Sequence, residues 1–264
     1  MRKPSTTAPA ALALSSSLRD TRSCRGVGLR ALANKLGIRP AVLSSWELGV
    51  RVAPEDAVAR ILGCLQVTGP DYERIFEYAR HARDTSFVDQ ADLHLGRITW
   101  TYEELSDRIA EWSPHAVPEL LQTEAYSEKQ IANGLLRPER ADLELFHRQV
   151  RRQTLRDDSS RRYGFLIGEA VIRELLKSDL GTDQLDRLRH FSNLSHVTVK
   201  VVPASVTSHG SIGAFTLFEN RKAPLAVVLK HHHSTTYLTD AVPLEHYQDT
   251  AKALTRHALE LDRR

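Results

Sequence analysis

The sequence predicts two folded parts: an all-α N-terminal domain of five helices, then a larger α+β (mixed) C-terminal domain with a small sheet. Three observations lead there. Gly- and Pro-bearing breaks at "GVG" (26–28), Gly37, "GVRVAP" (49–54) and "TGP" (68–70) cut residues 12–83 into short helical pieces. Past residue 160 the chain turns to β-rich runs: "YGFLIG" (163–168), "HVTVKVVP" (196–203), "GAFTLF" (213–218) and "LAVVLK" (225–230). Helical stretches precede and separate these runs, the pattern of helices embracing a sheet. With 264 residues and 41% hydrophobic content, the chain is long enough to bury both cores.

In chain order, "MRKPSTTAPAALALSSS" reads as a flexible tail (1–11) running into a helix. Its apolar run "AALAL" falls short of the roughly 7–15 residues of an export signal. The five-helix domain (12–83) follows. Its fourth helix opens at Pro54, with Glu55 and Asp56 placed against the positive helix end. Its fifth carries the stripe Tyr72, Ile75, Phe76 and Ala79. A polar connection, "RDTSFVDQADLHLG" (83–96), marks the linker, placed at 84–97. In the second domain (98–264), helices are expected at 102–112, 117–133, 138–157, 169–176, 183–194 and 244–261. No apolar stretch approaches the roughly 20 residues of a membrane span. Two cysteines without metal-type spacing, Cys24 and Cys64, point to a reducing cytoplasm, with Cys64 expected in the core.

Charge is uneven. Residues 1–60 hold ten Lys/Arg against four Asp/Glu, while the whole chain carries only +3. A basic first part on a near-neutral body suggests a polyanionic partner for that part, or simply a solvated surface. Within it, "LRALANKLGIRPAVLSSWELG" (29–49) has the makings of a helix-turn-helix. Leu32, Leu36, Ile38, Leu43 and Trp46 supply a shared core, Ala33 the small residue of close approach, and Gly37 a turn of positive φ. Two packed helices with no nucleic-acid role are the plainer alternative. If the pair does bind double-stranded DNA, Arg39 reaches a phosphate or a guanine. Ala41 and Val42 pack against a thymine methyl, and Ser44 and Ser45 are the remaining polar candidates. Arg30, Lys35 and Arg51 are expected phosphate partners. Glu47 would repel phosphate, so it is expected to pair within the domain, for instance with Arg51.

This stretch resembles the XRE (Cro/repressor-like) helix-turn-helix family, through Leu32-Ala33, Leu36-Gly37, Ser44, Glu47 and Gly49. Two departures stand out. Gly28-Leu29 replaces a Thr-Gln that would cap the first helix and touch a phosphate, and Pro40, Ala41 and Val42 replace polar residues opening the second. "WSPHAVPELLQTEAY" (112–126) is similar to the signature of actinobacterial XRE-type regulators, the WhiJ-like, antitoxin-like group. "RQVRRQTL" (148–155), "LIGEAVIREL" (166–175), "QLDRL" (184–188), "VTVKVVP" and "GAFTLF" follow in the same order. Glu119 stands where that group has Gly, and "LKHHHSTTYL" (229–238) departs from its acidic strand ending. The resemblance implies a cytoplasmic, dimeric transcriptional regulator whose second domain senses a ligand or a small partner protein encoded nearby. The alternative it leaves is an antitoxin-like protein that acts mainly by sequestering that partner.

Nothing in the second domain argues for catalysis, and no enzyme activity, cofactor or metal is expected. His231, His232 and His233 invite a zinc reading, but consecutive histidines rarely chelate together, and no HxxxH or Cys partner exists. "SHGSIGAF" (208–215) lacks the Lys-Ser/Thr of a phosphate-binding loop. The basic run at 148–162 reads as a solvated helix face, with DNA flanks as a second possibility. Glu169 is a lone carboxylate after a strand. Leu120, Leu121 and Tyr126 read as the apolar face of a helix entered at Pro118.

Overall fold

The computed structural model describes residues 8–90, 97–133, 138–207, 212–231 and 234–261. The chain divides into two compact units, Met1–Leu105 with Thr236–Asp240, and Ser106–Thr235 with Ala241–Arg264. The helical N-terminal region and the α+β character of the rest are as the sequence predicts.

The first unit holds helices α1 (Pro9–Cys24), α2 (Leu29–Leu36), α3 (Pro40–Glu47), α4 (Glu55–Cys64) and α5 (Pro70–Arg80). Strand β1 (Ser86–Gln90) and helix α6 (Arg97–Leu105) complete its run of elements. Its centre is α1, which packs on α3, α5, α6 and β1. Ala10, Ala11, Leu12, Ala13, Leu14 and Leu18 are all nearly inaccessible. The first half of α1 is apolar on every side and so belongs inside a core, and its alanines let neighbours come close. The stretch read as a tail is therefore helical from Pro9 onward. Pro9 sits in the first turn, where its missing N–H costs nothing, and "AALAL" is the most enclosed segment of the unit.

The connection read as a polar linker contains β1. Phe87 packs edge-on against Tyr78 at 5.7 Å between ring centroids, and Thr239 donates from its amide and hydroxyl to the Thr85 carbonyl. α6 adds Thr99, whose hydroxyl lies 3.1 Å from the Tyr237 hydroxyl. Residues 98–105 and 236–240, assigned from sequence to the second domain, fall with the helices of the first unit. Cys64 is exposed, outside the inward stripe of Ala57, Val58, Ile61 and Leu62 that fills the core side of α4. The expectation of a core cysteine is corrected.

The second unit is built on β2 (Arg108–Ser113), β3 (Arg162–Gly168), β4 (Val197–Val202), β5 (Phe215–Glu219), β6 (Pro224–Lys230) and β8 (Leu259–Glu260). Its strand order is β6-β5-β2-β3-β4-β8, and β7 (Ser234–Leu238) neighbours β1. β2, β3 and β4 run parallel, whereas β5 pairs antiparallel with both β2 and β6. Parallel neighbours need helical crossovers. α7 (Glu124–Ala132) and α8 (Pro138–Asp157) supply the first, α9 (Glu169–Leu175) and α10 (Gly181–Ser192) the second. A short α11 (Ala204–Thr207) follows β4, and α12 (Ala241–His257) precedes β8.

β2 corrects the helix expected at 102–112. Tyr102, Leu105, Ile109 and Trp112 have helical spacing, yet α6 stops at Leu105 and the chain extends. Ile109 and Trp112 point to opposite faces of a central strand and both are buried, so the strand shows no alternation. Pairing with β3 on one side and β5 on the other fixes it. The helix expected at 117–133 is likewise divided into a 3-10 turn at Glu119–Leu121 and α7, which Thr123 caps by accepting from the Tyr126 amide at 3.2 Å. α12 ends at His257 rather than 261. Two close approaches demand glycine. A Cβ at Gly168 would overlap the Pro114 carbonyl, and one at Gly181 the Leu175 carbonyl.

Candidate nucleic-acid interface

The helical pair is shaped by its turn. Gly37 takes φ +68°, the Ile38 amide donates to the Ala33 carbonyl at 3.0 Å, and the Gly37 amide donates to Asn34 at 3.1 Å. This paired closure uses up carbonyls of α2 that would otherwise be orphaned, and it swings the chain directly into α3. Pro40 occupies the first position of α3 behind Arg39. The same closure recurs after α3: Val50 donates to the Ser45 carbonyl at 2.9 Å, with Gly49 at φ +66°. Leu32, Ala33, Leu36 and Leu43 are buried, while Ile38 and Trp46 are half-buried at the margin.

Leu43 and Glu47, one turn apart, form the inward side of α3. Arg39 and Ala41 are exposed; Val42, Ser44 and Ser45 are half-buried. The Ser45 hydroxyl donates to the Val42 carbonyl at 2.7 Å, which leaves it only acceptor capacity outward. Arg30 and Lys35 are exposed on α2. Arg51 is exposed just beyond α3, where its amide donates to Ser45 at 3.1 Å. Gly28 precedes α2 with no side-chain cap, as the sequence led us to expect.

Glu47 pairs within its unit, but with Arg22 and not Arg51. Arg22 Nε and Nη2 donate to the two carboxylate oxygens at 2.7 and 2.8 Å, and Nη1 donates to the Val27 carbonyl at 2.9 Å. The Glu47 side chain is 3% exposed. Bonding to Glu47 raises the guanidinium pKa against the opposing effect of burial. The acid of α3 is thus neutralised from α1 and projects no charge outward. No local spacing announces a partner 25 residues upstream. Arg60 is a second basic residue the sequence did not single out; its Nη2 donates to the Leu36 carbonyl and closes the end of α2.

In the second unit, the two departures noted at 119 and 229–238 meet. Lys230 Nζ donates to Glu119 at 2.7 Å, and Arg148 and Arg151 stand 3.6 and 3.8 Å from the same carboxylate. Burial alone would raise this carboxyl; the charges of Lys230, Arg148 and Arg151 outweigh it and hold it well below the usual range. The "LLQTEAY" turn is gripped from two sides. Arg152 donates to the carbonyls of Leu120 and Gln122, at 3.3 and 2.9 Å. Gln184 donates to Leu121 at 2.9 Å and accepts from the Thr123 amide at 2.8 Å. Leu120 and Leu121 are buried and Tyr126 half-buried. Glu169 accepts from the Ala204 amide and from Arg173, both at 2.8 Å, so its bonding is accounted for by the fold.

His232, His233 and all of "SHGS" (208–211) lie outside the described residues. Among the described residues no three His, Cys, Asp or Glu side chains gather to hold a metal, and no helix is long and apolar enough to cross a membrane.

No curated protein matches the chain. Among solved structures, it is similar to the archaeal chromatin protein TrmBL2, whose structure is described as showing a novel mode of DNA binding. The two share 10% identity over 84% of this chain and 72% of that one, with a TM-score of 0.31. A family model for a domain of unknown function, DUF5753, matches residues 98–263. That region runs from the second residue of α6 through all but the last residue of the second unit. The chain therefore belongs to the family of proteins that carry the DUF5753 domain.

Proposed function

We propose that this protein is a DNA-binding transcriptional regulator of the XRE helix-turn-helix type, with α3 as the helix that enters the major groove. The observation that carries this reading is the α2–Gly37–α3 unit. Its turn is closed by paired backbone bonds, its inner side is filled by Leu32, Leu36 and Leu43, and Glu47 is neutralised by Arg22. What remains outward at the start of α3 is Arg39 and the apolar surface of Ala41 and Val42. Arg30, Lys35 and Arg51 stand exposed as phosphate partners. Few direct base bonds are available, so specificity rests on Arg39, on methyl contacts and on DNA shape. A homodimer on two half-sites is the expected assembly. The DUF5753 unit would decide occupancy by favouring one arrangement of the two DNA-reading heads when a ligand or small partner protein binds. No catalytic step or cofactor enters the proposal.

One observation favours the antitoxin-like alternative. The first turn of α3 offers no polar base reader after Arg39, and Ser45 spends its proton on Val42. A chain whose DNA affinity had lapsed would look like this and would act by sequestering its partner. Genome-wide DNA capture with the full chain, with and without the neighbouring gene's product, separates the two. Recovery of a defined set of sites, lost with Arg39→Ala, supports the regulator. Stable co-purification with the small protein and no enriched sites supports the alternative.

A further inference from the structure

Three arginines of α8 recur every fourth residue, Arg148, Arg152 and Arg156, and so lie along one side of that helix. The first two are explained by the fold. Arg148 is buried against the Gln122 side chain and Glu119, and Arg152 holds the carbonyls of Leu120 and Gln122. From α10, Gln184 grips the same turn, and Arg187 follows one helical turn later. Arg187 is fixed over the Phe191 ring, 5.3 Å from its centroid, and its Nε is buried with no hydrogen-bond partner among the described residues. Arg156 is exposed at the outer end of the row.

These cations act on one another. Burial and the charges of Arg187, Arg148 and Arg156 push Arg152 down to about 10; burial and Arg156 lower Arg187. Of the acids nearby, Asp157 accepts from Gln153, Asp158 from Ser160, and Asp186 from Arg189, while Glu124 faces Arg152 and partly offsets its crowding. Among the described residues no carboxylate forms an ion pair with Arg156 or Arg187. Crowding like charges and burying an unmatched donor both cost free energy, and an anion seated among them offsets both.

We propose that Arg152, Arg156 and Arg187 form a binding site for a phosphate group, entered from the exposed Arg156 end. This gives the ligand-sensing part of the proposed function a chemical class and, as a regulatory device, rests on that reading; the binding itself does not. Guanidinium forks match phosphate oxygens in pairs, which suits Arg187 placed over the Phe191 ring. The phosphate has two sources, a small phosphorylated molecule or a nucleic-acid backbone.

The test uses the full chain and inorganic pyrophosphate as probe, with Arg156→Gln and Arg187→Gln as variants. Arg173→Gln, which alters a cation outside the row, is the control. For a small-molecule site, pyrophosphate raises the unfolding temperature of wild type and of Arg173→Gln by a few degrees once well above Kd. Either site variant loses most of that rise while keeping the ligand-free transition. For a backbone site, pyrophosphate gives no rise, and Arg156→Gln lowers the salt slope of duplex binding by about 0.9. The proposal is overturned if neither effect is seen, or if pyrophosphate stabilises both site variants as much as wild type. If phosphate binds but the chain retards no DNA, the site stands and the regulator reading falls.

Discussion

Removing the Glu47 carboxylate tests how α3 is held in place. In Glu47→Ala the Arg22 guanidinium, 14% exposed, keeps only its bond to the Val27 carbonyl. Breaking a buried pair from one side costs about 3–5 kcal/mol. The surviving bond to Val27 and the residual exposure of Arg22 favour the low end, about 3 kcal/mol. For a unit of roughly 110 residues, unfolding entropy near 2.1 cal/mol/K per residue makes this a drop of about 13 °C in the first unit's transition. The double variant Arg22→Met/Glu47→Leu removes both charges and replaces them with apolar bulk, so it should lie closer to wild type than Glu47→Ala alone. Calorimetry of the full chain, with all four combinations of Arg22→Met and Glu47→Leu, gives the coupling. DNA affinity supplies a second readout of opposite sign to simple electrostatics. Deleting a negative charge near a duplex should strengthen binding, but loosening α3 from α1 should weaken it. Additive single effects within about 0.5 kcal/mol, or tighter DNA binding by Glu47→Ala, would refute the reasoning.

Gly168→Ala and Gly181→Ala force a Cβ into the carbonyls of Pro114 and Leu175; each should cost about 2 kcal/mol or more, read as a lower urea midpoint. Gly213→Ala, where nothing lies within 4 Å, should stay within about 0.5 kcal/mol of wild type. Because Glu119 titrates well below an unfolded carboxylate, its contribution is present above the unfolded value and fades as pH falls through the depressed folded one. Wild type should therefore exceed Glu119→Gln in stability at pH 7, and the gap should close below roughly pH 4. A gap that widens in acid would reverse the assignment.

The sequence makes local stereochemistry legible and long-range pairing opaque. Gly37 and Pro40 are readable because a positive φ and a missing N–H restrict the chain within three residues. The α8 range of 138–157 and strands β3 to β6 follow from long or β-branched runs. β2 does not, because both faces of "RIAEWS" are covered, leaving an apolar spacing that imitates a helix. "AALAL" is too short to signal a buried helix until α3, α5 and α6 are seen around it. Glu47 can be expected to need a partner, yet only the fold brings Arg22 to it. Among the interface candidates, Arg30, Lys35, Arg39, Ala41 and Arg51 are exposed and Val42, Ser44 and Ser45 half-buried, and the bond from Ser45 to Val42 had no sequence signature.

The proposed function requires exposed cations on and around the α2–α3 pair to hold a duplex by its phosphates. Fluorescence anisotropy of a labelled operator duplex across a salt series tests it most directly. Four contacts per head, from Arg30, Lys35, Arg39 and Arg51, predict a slope of log K against log salt of about −3.6, doubling in a dimer. Arg51→Ala should make it about 0.9 shallower per head. A flat salt dependence, or a slope unchanged in variants of all four cations, would contradict the account.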